Sequence, residues 1–314
     1  LKGQSPVVFV TVRLPSFAKI NWNLSVLGRR TDGFHELRTI FQTITLHDEL
    51  TLAERADGQL RLTCDAPEIP VDERNLIYRA AALLKERYGL RKGASIHLEK
   101  RIPAEGGLGG GSSNAAVALL GLAFLWNLKV SLVELCALGG GLGADVPFFL
   151  TGGTALGTGL GTRITPLPEV SAEHLLIVTP NAKVATAEAY RALKAPALTK
   201  PESDTILSIS RAGEHFSDSF PDALHNDFER VIFSLKPEVE RAKNALVRSG
   251  ARAALMTGSG SSIFGIFENQ EAQERAAGAL RVETKWRVFA CSTLSRAQYA
   301  RSLGACAAPM GPLS

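Results

Sequence analysis

The sequence predicts an α+β protein of two domains, divided near Pro166. Strand-like and helix-like segments are mixed in the first half, without the regular strand–helix alternation of a doubly wound sheet. Residues 151–168 are rich in Gly, Thr and Pro, as expected of a hairpin leading to a boundary. The 314 residues, 45% hydrophobic and 21% charged, suit two medium domains with a sizeable core.

The elements follow from period and punctuation. Strands are expected over 8–13 and 20–27, then a turn at Arg30 to Gly33. A strand over 37–46 and short strands at 50–52 and 60–62 come next. Residues 75–88 carry Leu76, Ile77, Ala80, Leu83 and Leu84 at helical spacing, and Gly89 closes them. A strand over 94–98 leads into a glycine-rich loop and an apolar helix over 112–126. Ser131 caps a helix over 131–138. Beyond the boundary, strands fit 175–178, 253–256, 263–267 and 286–290. Helices fit 185–193, 233–249 and 271–280. Residues 195–219 read as a polar surface segment, and the end from Gly304 as a flexible tail.

Composition excludes several classes. The net charge of +4 is dispersed, with no dense Lys/Arg run, so no nucleic-acid partner is expected. None of the four cysteines is at C-x-x-C spacing, and the six histidines show no H-E-x-x-H pattern. So few thiols fit a reducing cytoplasm. The longest apolar run, 115–126, is too short to span a bilayer, and residues 7–10 lack a signal-peptide layout. No oligomeric state is set by these features.

Of four glycine clusters, one has a distinctive setting. Gly106, Gly107, Gly109, Gly110 and Gly111 follow a strand and run through Ser112 and Ser113 into a long helix. Glycines there let backbone N–H groups converge, and the helix start adds unpaired donors and a positive dipole end. That is the chemistry of a phosphate cradle. It is no Walker A loop, because no Lys follows the glycines. The cluster at Gly139 to Gly143 reads as a turn near a site, and that from Gly152 to Gly161 as hairpin turns. Thr257 to Ser262 fits either a long hairpin or a second loop packed on the first.

Lys19 and Asp145 each sit between apolar flanks. Charge in such a place belongs either to a structural ion pair or to a working site. An Asp could take a proton from a hydroxyl, and a nearby Lys could balance phosphate charge.

Three ordered motifs carry a resemblance. Pro15-Ser16-Phe17-Ala18-Lys19-Ile20-Asn21-Trp22-Asn23-Leu24 resembles the first motif of the GHMP kinases. Pro103-Ala104-Glu105-Gly106-Gly107-Leu108-Gly109-Gly110-Gly111-Ser112-Ser113-Asn114 is similar to their second, the ATP phosphate loop. Met256-Thr257-Gly258-Ser259-Gly260-Ser261-Ser262 resembles the third. Gly28 to Leu37, Phe41-Gln42, and Leu142 to Phe149 resemble the branch that phosphorylates diphosphocytidyl-methylerythritol.

The resemblance implies a ribosomal protein S5 domain 2-like first domain (1–165) and a ferredoxin-like second domain (166–303), with the site between them. It implies ATP and Mg²⁺, a small-molecule alcohol substrate, Asp145 as general base and Lys19 as its partner. Residues 103–113 would hold ATP. Asn21 and His35 would touch substrate, Phe34 and Tyr190 would sandwich a cytosine, and Thr186 would lie beside them. No metal ligand is assigned; Ser112, Ser113 and Asp145 offer oxygens. Glu105 replaces the family's usual small residue, Phe34 its commoner Tyr, and Gly139 to Gly141 form a looser helix end. A kinase for a smaller alcohol, or a sensor on the same fold, are the alternatives.

Overall fold

Strand β1 (Thr11–Arg29) is a single strand where the alternation pattern predicts two. The computed structural model describes residues 10–198 and 224–311, so residues 8 and 9 of the expected first strand lie outside the described residues, as do residues 199–219 of the polar segment. The chain stays extended through Pro15 because β2 (His35–Arg55) lies on only one side of it there. Among the described residues, the other flank of β1 is paired at Asn23 and Leu24, by β8 (His225–Asn226), and at Arg29, by an isolated bridge to Ala197, well away from Pro15. A proline is tolerated on such a free edge.

The first sheet has the order β3-β4-β2-β1-β8, with β3 at Leu60–Cys64 and β4 at Gly93–Glu99. β5 (Thr154–Gly159) pairs with β2 and with β6 (Arg163–Pro166). Helix α1 (Leu76–Tyr88) begins at Asn75, whose side chain accepts from Ile77 N, and ends at Gly89 in the left-handed region. Helix α2 (Gly110–Leu125) is buried on nearly every side and forms the centre of the largest core cluster. A helix apolar all round belongs in an interior.

Helix α3 (Leu132–Leu142) starts at Ser131, as expected, but runs through the triple glycine. The expected turn there is instead the helix's last turn. Gly139 is small for a reason: a Cβ on it would stand 2.7 Å from Val146 Cγ1. The short helix α4 (Val146–Phe149) packs against that spot.

The second sheet is antiparallel, in the order β11-β7-β10-β9. Its strands are β7 (Leu175–Pro180), β9 (Ala253–Met256), β10 (Ile263–Ile266) and β11 (Trp286–Cys291). Helices α5 (Thr186–Leu193), α6 (Glu229–Leu235) and α7 (Pro237–Arg248) lie between β7 and β9, and α8 (Gln270–Leu280) joins β10 to β11. This is the ferredoxin-like βαββαβ order. One helix was expected over 233–249; Pro237 has no N–H to continue the first helix and instead opens the second.

Two further differences lie at the C-terminal end. Helix α9 (Arg296–Leu303) has a Ser295/Gln298 capping box, a signal legible in the sequence that the prediction overlooked. The tail expected to be flexible from Gly304 forms a 3₁₀ helix over Gly304–Met310, with Cys306 and Ala307 buried in the first core. Apolar Ala, Cys and Met supply the burial that a loose tail lacks. The chain therefore returns to its first sheet, which a single cut at Pro166 does not describe. Between the sheets, Ala18, Ile20, Trp22 and Ile44 pack on Leu175, Ile177 and Phe264. That layer fixes the cleft holding the site.

Candidate active site

Two β-bulges aim the first motif. The β1–β2 register shifts between Phe17 and Lys19 and again between Asn21 and Asn23. Bulges next to sites re-aim side chains. Ala18, Ile20 and Trp22 face the intersheet core, so Lys19 and Asn21, at alternate positions, face the cleft.

The glycine loop joins β4 to α2. Gly109 is the N-cap of α2 at φ 70, with no side-chain capping bond, which leaves the helix's first N–H groups for a ligand. The approach to the loop is held by Asp48, which is fully buried. Its Oδ1 accepts from Arg101 N and Ile102 N, both at 2.7 Å, and its Oδ2 pairs with Lys100 Nζ at 2.8 Å. Burial lowers the Lys100 pKa and Asp48 opposes the fall.

The third motif packs directly on this loop. Ser262 N donates to Gly106 O at 3.1 Å. Gly107, at φ 76, lies so close that a Cβ there would stand 2.2 Å from Thr257 O. Of the two readings of the Thr257 to Ser262 cluster, the packed loop is therefore the one the fold adopts.

Lys19 Nζ donates to Asn21 Oδ1 and to Gly107 O, each at 2.7 Å, and stands 3.7 Å from Asp145 Oδ2. Burial lowers the pKa of Lys19, and the Asp145 carboxylate works against that. Asn21 Oδ1 also accepts from Thr257 Oγ1 at 3.1 Å and Gly258 N at 2.9 Å, while Nδ2 donates to Thr39 Oγ1 at 2.7 Å. Asn21 is thus first a joint between the two halves of the molecule, although it also lines the cleft.

The cleft contains one cavity of ≈ 1370 Å³. Its other corner is aromatic. The His35 and Tyr190 rings lie 4.8 Å apart at 31°, and Tyr190 meets Phe228 edge-on at 4.9 Å. Phe34 is 60% exposed at the rim. Burial raises the Tyr190 pKa, and Asp145 adds to the rise. Burial lowers the pKa of His35, and Arg29 adds to that. Thr186 Oγ1 lies 3.2 Å from Ser259 Oγ.

Every side chain predicted for the site lines this cavity except one. Ser113 is buried, and its hydroxyl meets Ser16 Oγ at 2.8 Å, away from the cavity. It faces into the fold because α2 is covered on that side. Asn114 lines the cavity instead, with its Oδ1 accepting from Ser16 Oγ at 2.6 Å. Glu105 has φ 57 and turns outward, 61% exposed, with Lys183 Nζ at 3.7 Å. Lys100, Asn114 and Phe228 were missed. A basic pair before Ile102-Pro103 was a readable signal for Lys100, whereas Phe228 reaches the site only through tertiary packing.

A glycine loop at a buried helix start, over a Lys–Asp pair in a two-sheet cleft, defines a small-molecule kinase of the GHMP class. GHMP kinases N terminal domain matches residues 75–153, and GHMP kinases C terminal matches residues 208–283. The 4-diphosphocytidyl-2-C-methyl-D-erythritol kinase of Alkaliphilus metalliredigens (strain QYMF) is 40% identical over 259 residues, 82% of this chain and 88% of that protein. The protein of the same name from Bacillus cereus (strain B4264) is 40% identical over 264 residues, 84% of this chain and 91% of its own. A crystal structure of 4-(cytidine 5'-diphospho)-2C-methyl-D-erythritol kinase superposes with a TM-score of 0.73 at 37% identity, over 90% of this chain and 99% of that one. The chain belongs to the GHMP kinases, in the family of 4-diphosphocytidyl-2-C-methyl-D-erythritol kinases.

Proposed function

We propose that this enzyme transfers the γ-phosphoryl group of ATP to the 2-hydroxyl of 4-diphosphocytidyl-2-C-methyl-D-erythritol, a step towards isoprenoid precursors. One observation carries the reading: the same cavity is lined by the glycine loop with Lys19 and Asp145, and by the aromatic corner of Phe34, His35 and Tyr190. The first suits a triphosphate, and the second suits a flat base, since any π face stacks. Mevalonate or homoserine has no ring for that corner.

In this reading the β- and γ-phosphates lie on residues 106–112, against the first N–H groups of α2. Asp145 Oδ2 takes the proton of the attacking hydroxyl. The new O–P bond forms as the bond between the γ-phosphorus and the β–γ bridging oxygen breaks, and ADP leaves. Lys19 balances the charge of both carboxylate and phosphate. Positioning and charge stabilisation supply most of the acceleration, because phosphoryl transfer needs little covalent help.

Among the described residues no three His, Cys, Asp or Glu side chains converge as a metal cage. The donor set fits an ion that arrives on the nucleotide: Asp145 and the half-buried Ser112 hydroxyl line the cavity beside the helix start. Those two would hold Mg²⁺ through oxygen or water. When bound, it would neutralise phosphate charge. The four cysteines are free thiols, which supports placement in the cytoplasm.

The deciding assay supplies purified protein with ATP, Mg²⁺ and the diphosphocytidyl alcohol. ADP release is expected with that substrate, and neither mevalonate nor homoserine should replace it. Equal turnover of either control would overturn the reading.

A further inference from the structure

Asn226 lies far from the glycine motifs in sequence and is 5% exposed. Its Oδ1 accepts from Phe228 N at 2.9 Å, which fixes which way its amide points. Its Nδ2 then has to face the third motif, where it donates to Met256 O at 2.6 Å and Gly258 O at 2.9 Å. Two donors thus hold the carbonyls on either side of Thr257, at the end of β9 and in the loop, from behind.

The held loop is linked by hydrogen bonds to the Lys19 amine. Gly258 is gripped at both ends: its carbonyl by Asn226, its N–H by Asn21 Oδ1 at 2.9 Å. Asn21 Oδ1 in turn accepts from Lys19 Nζ. Gly258, at φ 59, leaves no slack, because a Cβ on it would stand 2.9 Å from Gly107 O and 3.2 Å from Lys19 Nζ. An ammonium has three N–H directions. Asn21 and Gly107 take two of them, and the third remains for Asp145 and the reacting phosphate.

We propose that Asn226 is a positioning residue that sets the direction of the Lys19 amine, acting through Gly258 and Asn21. It touches neither substrate. The proposal rests on the roles given above to Lys19 and Asp145. It predicts an effect on the chemical step rather than on binding, because the loop's far side, not the cavity wall, is altered.

The test is Asn226→Asp, which keeps shape but turns the two donors into acceptors facing carbonyls. Expected is a fall in kcat of about tenfold or more with both KM values within about twofold, the signature of an interaction used only in the transition state. In a Lys19→Ala background the same substitution should change kcat no further, since residues acting through one group are not additive. If Asn226→Asp does not fold, Asn226→Ala removes both donors with no change of charge, and the same non-additivity is expected. Unchanged kcat, or an equal loss in both backgrounds, overturns the proposal. If Lys19→Ala alone keeps full turnover, the role of Lys19 fails and this proposal with it. A dead Lys19→Ala beside a normal Asn226→Asp sinks only the latter.

Discussion

Lys19 Nζ and Asp145 Oδ2 lie 3.7 Å apart with opposite access to solvent: the Lys19 side chain is 4% exposed, that of Asp145 31%. The amine is sealed behind Asn21 and Gly107, and the carboxylate faces the cavity. In the proposed reaction the carboxylate is the group that the substrate hydroxyl meets. Asp145→Asn keeps the shape but has no base, and kcat should fall about 10²-fold, the lower range for loss of a general base. Nucleotide titration should show ATP still bound. A turnover close to wild type would remove Asp145 from that role.

The buried amine has a cost in stability. Burial holds the Lys19 pKa below the ordinary 10.5, so the folded protein releases that proton more readily than the unfolded chain. Between the folded value and 10.5 the unfolded state binds more protons, and stability should rise with pH through that window. Lys19→Met removes the cost at neutral pH. It should raise Tm by about 2 °C, the shift that about 1 kcal/mol gives in a chain of this size class, while turnover is lost. A lowered Tm would show that the amine's hydrogen bonds outweigh its desolvation. In the wild type, kcat/KM should decline on the alkaline side below pH 10.5, as the charged amine is lost.

Tyr190 is held between His35 and Phe228. Its hydroxyl stays protonated at working pH because burial and Asp145 both raise its pKa. The ring, not the hydroxyl, should then carry its contribution. Tyr190→Ala should raise KM for the cytidine substrate about tenfold, within the range of about 1–3 kcal/mol for base stacking, and leave KM for ATP alone. Tyr190→Phe should stay within about threefold of wild type on the same scale. Equal damage from both would assign the hydroxyl a role instead.

Glu105 puts a carboxylate in the glycine loop, and Lys183 from the other half of the molecule is its neighbour. The pair is exposed, so its influence is modest and screened by salt. Lys183→Ala should raise KM for ATP about threefold at low ionic strength, Glu105→Ala should lower it by a similar factor, and both changes should fade in salt. No change at low salt in either variant would show the carboxylate to be indifferent to the triphosphate.

Much of the local structure was legible from residue order. Asn75, Gly89 and Ser131 announce helix ends, because capping is settled by groups within a few residues. The glycine loop before α2 announced a helix start with uncapped N–H groups for the same reason. The reading failed where neighbours at long range decide. The triple glycine continues a helix whose Gly139 is packed on Val146, and β1 runs whole past Pro15, where among the described residues no strand pairs with its other edge.

The sequence by itself determined the reactive parts: a glycine loop at a helix start, a lysine and an aspartate between apolar flanks, and aromatic residues near a turn. Only the tertiary structure decided which of them meet. Two bulges aim Lys19 and Asn21 into the cleft, and the intersheet packing brings Asn226, Thr257 and Gly258 behind them. The physical reason is range: backbone conformation and capping depend on adjacent residues, whereas the direction of a buried amine depends on acceptors supplied by segments the chain order keeps far apart.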